Sequence, residues 1–304
     1  MSIALHKSKQ FLAPLIKIIV ILICAYVIYI QWMERPLQLN ELWIALQKLQ
    51  GFTLVAMIAV SLASWLVESK KWQYLVSDFY ELSFRESVLQ NLTAQAASFI
   101  TPFRAGEFAM KSLFFKKSLR KKVLSSILAG TISQMLITVL LGITGVLFYL
   151  KESLELDTAF YLIGAGILLL VLLAGLSLWL IKKWNYKIPA TKKWCRTILF
   201  SLLRYLLFAS NWLLLLWLLD YESPILITMR NVSIFYLVVS IIPVFQIFDI
   251  ALKWTAATYI FEGAFFNSEL IIAATSIIWL TNSIAPTLLG CALLPFQRLK
   301  TLEE

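Results

Sequence analysis

The chain of 304 residues is 60% hydrophobic and only 14% charged, and its mean hydropathy is +0.81. Soluble domains are nearer half apolar and a quarter charged, so this composition excludes a soluble fold and a disordered chain. Three cysteines also exclude a disulfide scaffold. The expected fold class is an all-α polytopic membrane protein with a formal net charge of +10.

The first predicted element is an apolar stretch at residues 11–32, which follows a basic start. It is long enough to span about 30 Å of hydrocarbon. No small-residue cleavage site follows it, so we expect it to be retained rather than removed as a signal peptide. Five more stretches reach spanning length, at 51–68, 123–150, 159–181, 197–219 and 270–295. Six full spans are therefore predicted.

Two further apolar regions, 88–115 and 225–262, contain proline and polar or charged residues in mid-segment. A lipid-facing helix does not tolerate such interruptions. These regions are predicted to be broken, re-entrant helices that enter and leave on the same side. The alternative is that each region forms two full spans.

Positive charge concentrates in segments 69–87, 104–122 and 182–196 and near the C-terminus, whereas the alternate loops lean acidic. The positive-inside rule places both termini and the basic segments in the cytoplasm. The order of two spans, a broken region and a span then occurs twice with opposite orientation. An inverted repeat with discontinuous helices is a recurring transporter plan. The predicted organisation is one integral membrane domain, 1–304, with halves at 1–150 and 159–304.

The first broken region carries the clearest group of charges. Thr101 is predicted to cap a helix that opens with Pro102, and Arg104, Glu107 and Lys111 then share one helix face. A helix N-terminus beside an arginine is suited to a phosphate. The alternative is a structural ion-pair network that holds the re-entrant turn.

The second broken region repeats this pattern, because Pro243 is followed by Asp249 and then by Lys253. These charges lie among apolar neighbours, so we expect them to face protein or a wet cavity rather than lipid. Pro, acid and Lys at corresponding places in the two halves favour a repeat with a shared site.

The remaining polar residues inside spans are expected to have structural roles. Arg204 in the fifth span is expected to snorkel to the cytoplasmic edge, and Arg230 is interpreted in the same way at the outer start of the second broken region. Gln134, Asn282 and Pro286 are expected to give helix–helix hydrogen bonds or a kink.

Several chemistries are not supported by the sequence. The single histidine is His6 in the N-terminal tail, so neither a His-based metal site nor a His-based triad can be built. There is no Walker A or G-x-G-x-x-G run. We expect no cofactor, no metal, no enzymatic activity and no nucleic-acid partner, because topology already explains the basic loops.

Two motifs resemble a known family. The runs Lys71-Trp72-Gln-Tyr-Leu75 and Ile100-Thr-Pro-Phe-Arg104-Ala-Gly106-Glu107 resemble the lysylphosphatidylglycerol synthase transmembrane-region family of flippase-like membrane proteins, which carries a Pro-x-Arg-x-Gly-Glu core. The second motif, Phe248-Asp249-Ile-Ala-Leu-Lys253, departs from the family's Glu-x-Gly-x-Arg-like element and loses bidentate arginine recognition. Trp279-Leu-Thr-Asn282 with Pro286 and Gly290 is similar to its last span.

The resemblance implies a lipid transporter of the bacterial cytoplasmic membrane that moves an anionic or aminoacylated phospholipid or a polyprenyl-phosphate lipid. The soluble aminoacyl-transfer domain is expected to be absent, because few residues follow the last span. The alternative is a non-transporting accessory subunit of an envelope-lipid or glycan assembly system. The expected substrate-binding residues are Arg104, Glu107, Lys111, Asp249 and Lys253, and the structural motif comprises Thr101, Pro102, Gly106, Pro243 and Asn282.

Overall fold

The computed structural model describes residues 51–99, 101, 104–153, 191–219, 223–241, 249–261 and 268–296, which are helical apart from short connections. The helices in these ranges are α1 (Gly51–Val76), α2 (Phe84–Phe99), α3 (Ala105–Leu113), α4 (Arg120–Ser153), α5 (Thr191–Leu218), α6 (Ile225–Ile241), α7 (Asp249–Phe261), α8 (Ser268–Trp279) and α9 (Ala285–Leu293). Short 3-10 turns occur at Lys117–Leu119 and Leu294–Phe296, and a π-helix at Leu280–Ile284 joins α8 to α9.

Four segments of the described chain are long and apolar enough to cross a membrane: Gly51–Val76, Lys117–Lys151, Lys193–Leu218 and Leu270–Leu293. This confirms the polytopic helical fold class. The predicted spans 11–32 and 159–181 lie outside the described residues, as do Pro102 and Pro243.

Two of the predicted helix boundaries are wrong, because in both cases the helix is longer than predicted and includes residues assigned to a basic loop. Helix α1 continues past residue 68 to Val76, and α5 begins at Thr191. Lys71 and Lys193 were expected in cytoplasmic loops, but both lie on these helices and are buried. A positive charge at the end of an apolar run therefore does not mark the end of the helix here, because each lysine finds a carboxylate partner.

The first broken region is a hairpin of α2 and α3, called hairpin 1 (84–113). Near the start of α2, Gln90 Oε1 accepts a hydrogen bond from the Trp72 indole at 2.9 Å, and just beyond α3 the Phe115 ring packs edge-on against the same indole. At the turn, Phe99 packs against Trp279 in the middle of the continuous helix formed by α8, the π-helix and α9, which is called the last composite helix. Both ends of hairpin 1 therefore lie at the C-terminal end of α1, as a re-entrant segment requires.

The second broken region is also a helical hairpin, formed by α6 and α7 and called hairpin 2 (225–261). Its outer end lies beside the C-terminal end of α5, where Phe261 stacks on Trp212 with ring centroids 5.4 Å apart. Its turn, 242–248, is outside the described residues.

The two hairpins enter the helical bundle from opposite ends. Each follows the C-terminal end of a long helix, hairpin 1 after α1 and hairpin 2 after α5. Helices α1 and α5 are antiparallel, because Met57 O accepts a hydrogen bond from Asn211 while Lys71 donates to Ser201. The order and opposite orientation of these elements agree with the inverted arrangement predicted from charge.

The last composite helix is adapted to its neighbours at two points. Pro286 cannot donate to the Asn282 carbonyl four residues earlier, and the Trp65 indole of α1 donates to that carbonyl at 3.4 Å. A π-helix just before a proline is a usual way to absorb the lost bond. One turn later, a Cβ on Gly290 would lie 2.0 Å from the Leu92 carbonyl oxygen of α2, so glycine permits the close contact with hairpin 1.

Candidate functional site

A cavity of about 550 Å³ lies between the two hairpins and is also lined by α1, α4, α5 and the last composite helix. The five residues that the sequence predicted to bind substrate all line it: Arg104, Glu107, Lys111, Asp249 and Lys253. Thr101 and Asn282 line it as well. Residues 145 positions apart along the chain, Arg104 and Asp249, thus contribute to one site.

The turn of hairpin 1 is tightly constrained. Helix α3 begins at Ala105, so the prediction that it opens at Pro102 is wrong. Thr101 is not the N-cap residue, which is Arg104, but it still braces the helix start, because Thr101 Oγ1 accepts a hydrogen bond from the Gly106 N–H at 2.8 Å and donates to the Ala97 carbonyl at 3.0 Å. A Cβ on Gly106 would lie 2.1 Å from that same carbonyl oxygen. Glycine is therefore required where α3 leaves α2.

Arg104 occupies the N-cap position of α3 in the left-handed backbone region, with φ 57° and ψ 27°. A residue other than glycine costs about 1–2 kcal/mol in this region. Such strain persists when the surrounding structure determines the conformation, and it is concentrated at ligand sites and switches. The constrained turn holds Arg104 so that its side chain, 51% exposed, reaches the cavity.

Glu107 holds two cations, and we call this group the Glu107 triad (Arg104, Glu107 and Lys111). The Arg104 guanidinium lies 2.9 Å from Glu107 Oε2, and Lys111 Nζ lies 2.9 Å from Glu107 Oε1. Lys111 is almost fully buried and also lies over the Trp72 ring, 4.5 Å from its centroid. The ion-pair network expected from the spacing is present, and the half-exposed Arg104 remains open to the cavity.

The corresponding group on hairpin 2 is smaller. Asp249 and Lys253 form a single ion pair across one helical turn at the start of α7. Both side chains are mostly buried, at 15% and 17% exposed. The pair faces the cavity as predicted, but it is formally neutral because no second cation of the described residues joins it.

A second triad was missed by the sequence analysis. Glu68 Oε2 lies 2.7 Å from Lys71 Nζ and 2.9 Å from Arg204 Nη1, and we call this group the Glu68 triad (Glu68, Lys71 and Arg204). It joins α1 to α5, and all three residues line the cavity. The available signal was the three-residue spacing of Glu68 and Lys71 at the end of an apolar run, which the topology argument assigned to the membrane edge.

The prediction that Arg204 snorkels to the cytoplasmic edge is wrong. Its residue is only 7% exposed, and its guanidinium lies between the rings of Trp65 and Phe208, at 5.2 and 5.1 Å. Arginine stacks on aromatic faces and binds carboxylates at the same time. Trp65 and Glu68 on α1, together with Phe208 one turn along α5, hold the side chain inside the bundle.

Electrostatic interactions connect the two triads. Lys111 of one triad interacts with Glu68 of the other, and Arg204 interacts with Glu107. Across the described lining residues, five cations face three carboxylates. The cavity is therefore formally cationic in a chain that has few buried charges.

The residues expected to have structural roles lie in different places: two form hydrogen bonds between helices, and one lies away from the cavity. Asn282 accepts a hydrogen bond from Asn211 Nδ2 at 3.0 Å, and Gln134 donates to the Ser201 carbonyl at 3.4 Å. Both contacts confirm the predicted helix–helix hydrogen bonds. Arg230 lies outside the cavity lining, beside the rings of Phe148 and Tyr149.

No group of three or more potential metal ligands occurs among the residues that the structure describes. The chemistry of the cavity is that of lysine, arginine and carboxylate side chains, with indole and amide groups beside them. Such a site can bind and exchange an anion, because the two cations of each triad share one carboxylate, so that one cation can turn to the anion while the other keeps the carboxylate.

A model of the family described as "Lysylphosphatidylglycerol synthase TM region" matches residues 15–266. The match spans most of the chain, including α1 and both hairpins, and the chain belongs to this family. It is therefore a membrane protein of a lipid-related family. A search among curated proteins found no significant match.

Proposed function

We propose that this member of the lysylphosphatidylglycerol synthase TM-region family is a lipid flippase that moves anionic headgroups across the membrane through the cavity between its hairpins. The observation that carries the proposal is the set of five cations lining one cavity within the helical bundle. Ionisable residues inside a membrane bundle are costly and usually mark a substrate pathway. We further propose the bacterial cytoplasmic membrane as its location.

The position of Arg104 supports first contact with a headgroup. Its side chain is 51% exposed whereas Lys111 is 3% exposed, so an entering phosphate meets the guanidinium before the lysine. A guanidinium can donate two parallel hydrogen bonds to a phosphate. The phosphate would displace Glu107 from Arg104, and Glu107 would keep its partner Lys111. No carboxylate is left unpaired in this exchange.

The architecture supports alternate access from the two sides. Two re-entrant hairpins that enter from opposite ends and meet at a charged site are a recurring feature of transporters. A cavity of about 550 Å³ is within the usual range for small-molecule sites. It suits a headgroup whose acyl or polyprenyl chains stay in the surrounding hydrocarbon, which avoids the cost of moving the tails through a polar site.

A reconstitution assay tests this function. The chain would be placed in liposomes that contain acyl-labelled fluorescent phosphatidylglycerol or phosphatidic acid, and translocation would be followed by chemical quenching of the outer leaflet. We expect Arg104→Ala to slow translocation about tenfold or more, because a charge-assisted hydrogen bond is worth roughly 1.5–3 kcal/mol.

Arg85→Ala is the matched control, since Arg85 is exposed and does not line the cavity. It should translocate lipid at the wild-type rate. Arg104→Ala moving lipid as fast as wild type would contradict the role of Arg104. If liposomes containing the wild-type chain translocate neither phospholipid and no polyprenyl-phosphate glycolipid, the flippase function is contradicted and an accessory subunit is favoured.

A further inference from the structure

The two triads have the same composition and therefore the same formal charge. Each contains one carboxylate and two cations, which leaves one positive charge uncompensated. The Asp249–Lys253 pair is neutral. The described lining of the cavity thus carries an excess of two positive charges, one on each triad.

Three of the four cations in the triads lie where solvent cannot easily screen them. The side chains of Lys71, Lys111 and Arg204 are 2%, 3% and 8% exposed. An uncompensated charge costs several kcal/mol when it is taken out of water. The turn residues that the structure leaves undescribed, 100, 102–103 and 242–248, contain no ionisable residue, so the hairpin turns supply no counter-charge.

The Glu68 triad also has unused hydrogen-bonding capacity. Arg204 is more than nine-tenths buried and lines the cavity, yet its Nε–H has no hydrogen-bond partner in the described part of the chain. The Glu107 triad offers the half-exposed guanidinium of Arg104. Arg104 can therefore bind an anion while Glu107 stays with Lys111, and Arg204 keeps an N–H group that no described residue accepts.

We infer that the cavity selects lipid headgroups with two negative charges, phosphomonoesters or diphosphates, over phosphodiester headgroups with one. This inference rests on the proposed transport of anionic lipids. A headgroup with two charges compensates the excess on both triads, whereas a phosphodiester leaves one triad charged. A phosphomonoester carries about −1.5 to −2 at neutral pH, and specificity of this kind is a difference between two affinities.

Binding measurements on the purified chain in detergent test the inference without depending on transport. Native mass spectrometry with competition would compare phosphatidic acid with phosphatidylglycerol of identical acyl chains. We expect phosphatidic acid to bind at least about tenfold more tightly, a difference of about 1.4 kcal/mol. Polyprenyl monophosphate and polyprenyl diphosphate form two further arms, which distinguish a glycerolipid from a polyprenyl ligand.

Two variants remove one excess charge each without leaving a carboxylate unpaired. Arg104→Gln leaves the Glu107–Lys111 pair, and Lys71→Met leaves the Glu68–Arg204 pair. Each should reduce the preference for phosphatidic acid severalfold. The control is the double variant Glu81→Gln with Arg85→Gln, which removes one charge of each sign at exposed positions outside the cavity lining and should keep the ratio of the two affinities.

Equal binding of the two lipids by the wild-type chain would overturn the inference, even if the chain translocates lipid. A double variant that loses the preference as fully as Arg104→Gln would also overturn it. Tight, selective binding without translocation would instead contradict the flippase function and leave the headgroup preference standing. If Lys71→Met does not fold, Arg104→Gln at its half-exposed position decides the outcome.

Discussion

Hairpins 1 and 2 occupy corresponding places in the two antiparallel series of helices, but they differ in charge and in packing. Hairpin 1 carries a triad with a strained arginine at its turn, and α9 approaches its backbone closely at a glycine. Hairpin 2 carries a neutral ion pair and contacts α8 through the Trp254–Ser276 hydrogen bond.

This difference separates two roles that the sequence motifs alone would equate. A rigidly held site with one excess charge is suited to binding an anion, because the geometry is fixed before the ligand arrives. A neutral pair offers no excess charge to an anion and is suited to closing the cavity from the other side. Hairpin 1 is therefore expected to set affinity, and hairpin 2 is expected to respond to the ligand.

Removal of the central carboxylate of hairpin 1 should give the largest effect. Glu107→Gln leaves Lys111, 3% exposed, without its charge partner, and breaking a buried ion pair costs about 3–5 kcal/mol. The corresponding change, Asp249→Asn, should cost less because Lys253 is 17% exposed and can reach water more readily. Thermal unfolding in detergent measures both.

Glu81→Gln is a suitable control for this comparison, because Glu81 is exposed and lies outside the cavity lining. It should leave the melting temperature unchanged. An Asp249→Asn variant that is destabilised as much as Glu107→Gln would show that the two hairpins are electrostatically equivalent, and the division of roles would then be wrong.

Close packing of hairpin 1 gives the next largest effect. In Gly290→Ala, the new methyl group would meet the Leu92 carbonyl oxygen at 2.0 Å, so α9 must move away from α2. Overpacking of this kind costs about 1–3 kcal/mol. The melting temperature should fall, and lipid binding should weaken because α2 supports the turn that holds Arg104.

A matched glycine exists at the start of α1. No atom of the described residues lies within 4 Å of a Cβ placed on Gly51, and alanine is the better helix former, so Gly51→Ala should be neutral or slightly stabilising. If Gly290→Ala were equally neutral, the close contact between α9 and hairpin 1 could not be what makes that hairpin rigid.

Loss of the hydrogen bond between α7 of hairpin 2 and α8 should have a smaller effect. Trp254→Phe removes the 2.9 Å hydrogen bond to Ser276 Oγ and keeps an aromatic ring. Ser276 retains its bond to the Ile272 carbonyl, so no hydroxyl is stranded. Interhelical hydrogen bonds in membranes average about 0.6 kcal/mol. The expected result is a small loss of thermal stability, with faster hydrogen exchange in α7 as the sharper readout.

No change in exchange at α7 would mean that other contacts hold hairpin 2. A fall in stability as large as that of Gly290→Ala would mean that hairpin 2 is fastened as firmly as hairpin 1. Either result would weaken the contrast between a rigid hairpin and a responsive one.

Much of the fold was predictable, because span length, interruption by proline and polar residues, and the sign of loop charges are all local properties. These properties predicted the long helices, both hairpins and their opposite entry. The cluster Arg104, Glu107 and Lys111 was predictable for the same reason, since helix periodicity places the three on one face.

The Glu68 triad was not predictable in this way, because it depends on contacts across 136 residues between α1 and α5. Periodicity cannot say which helix supplies a partner. Arg204 and Lys71 both lie within reach of a membrane edge in sequence, and the usual behaviour of such residues is to snorkel. A carboxylate and an aromatic ring on α1, with a second ring one turn along α5, determined the outcome instead.

The smallest and most informative change is Lys253→Arg on hairpin 2. Lysine is a point charge, whereas arginine can hold Asp249 and a phosphate through separate N–H groups. If the neutral pair lies near a bound headgroup, the added hydrogen bond should raise affinity for phosphatidic acid about threefold, roughly 0.6 kcal/mol. Lys121→Arg, at an exposed position on α4 outside the cavity lining, should leave affinity unchanged. A Lys253→Arg variant with reduced affinity would mean that Asp249 captures the whole guanidinium, so that hairpin 2 closes the cavity without contacting the headgroup.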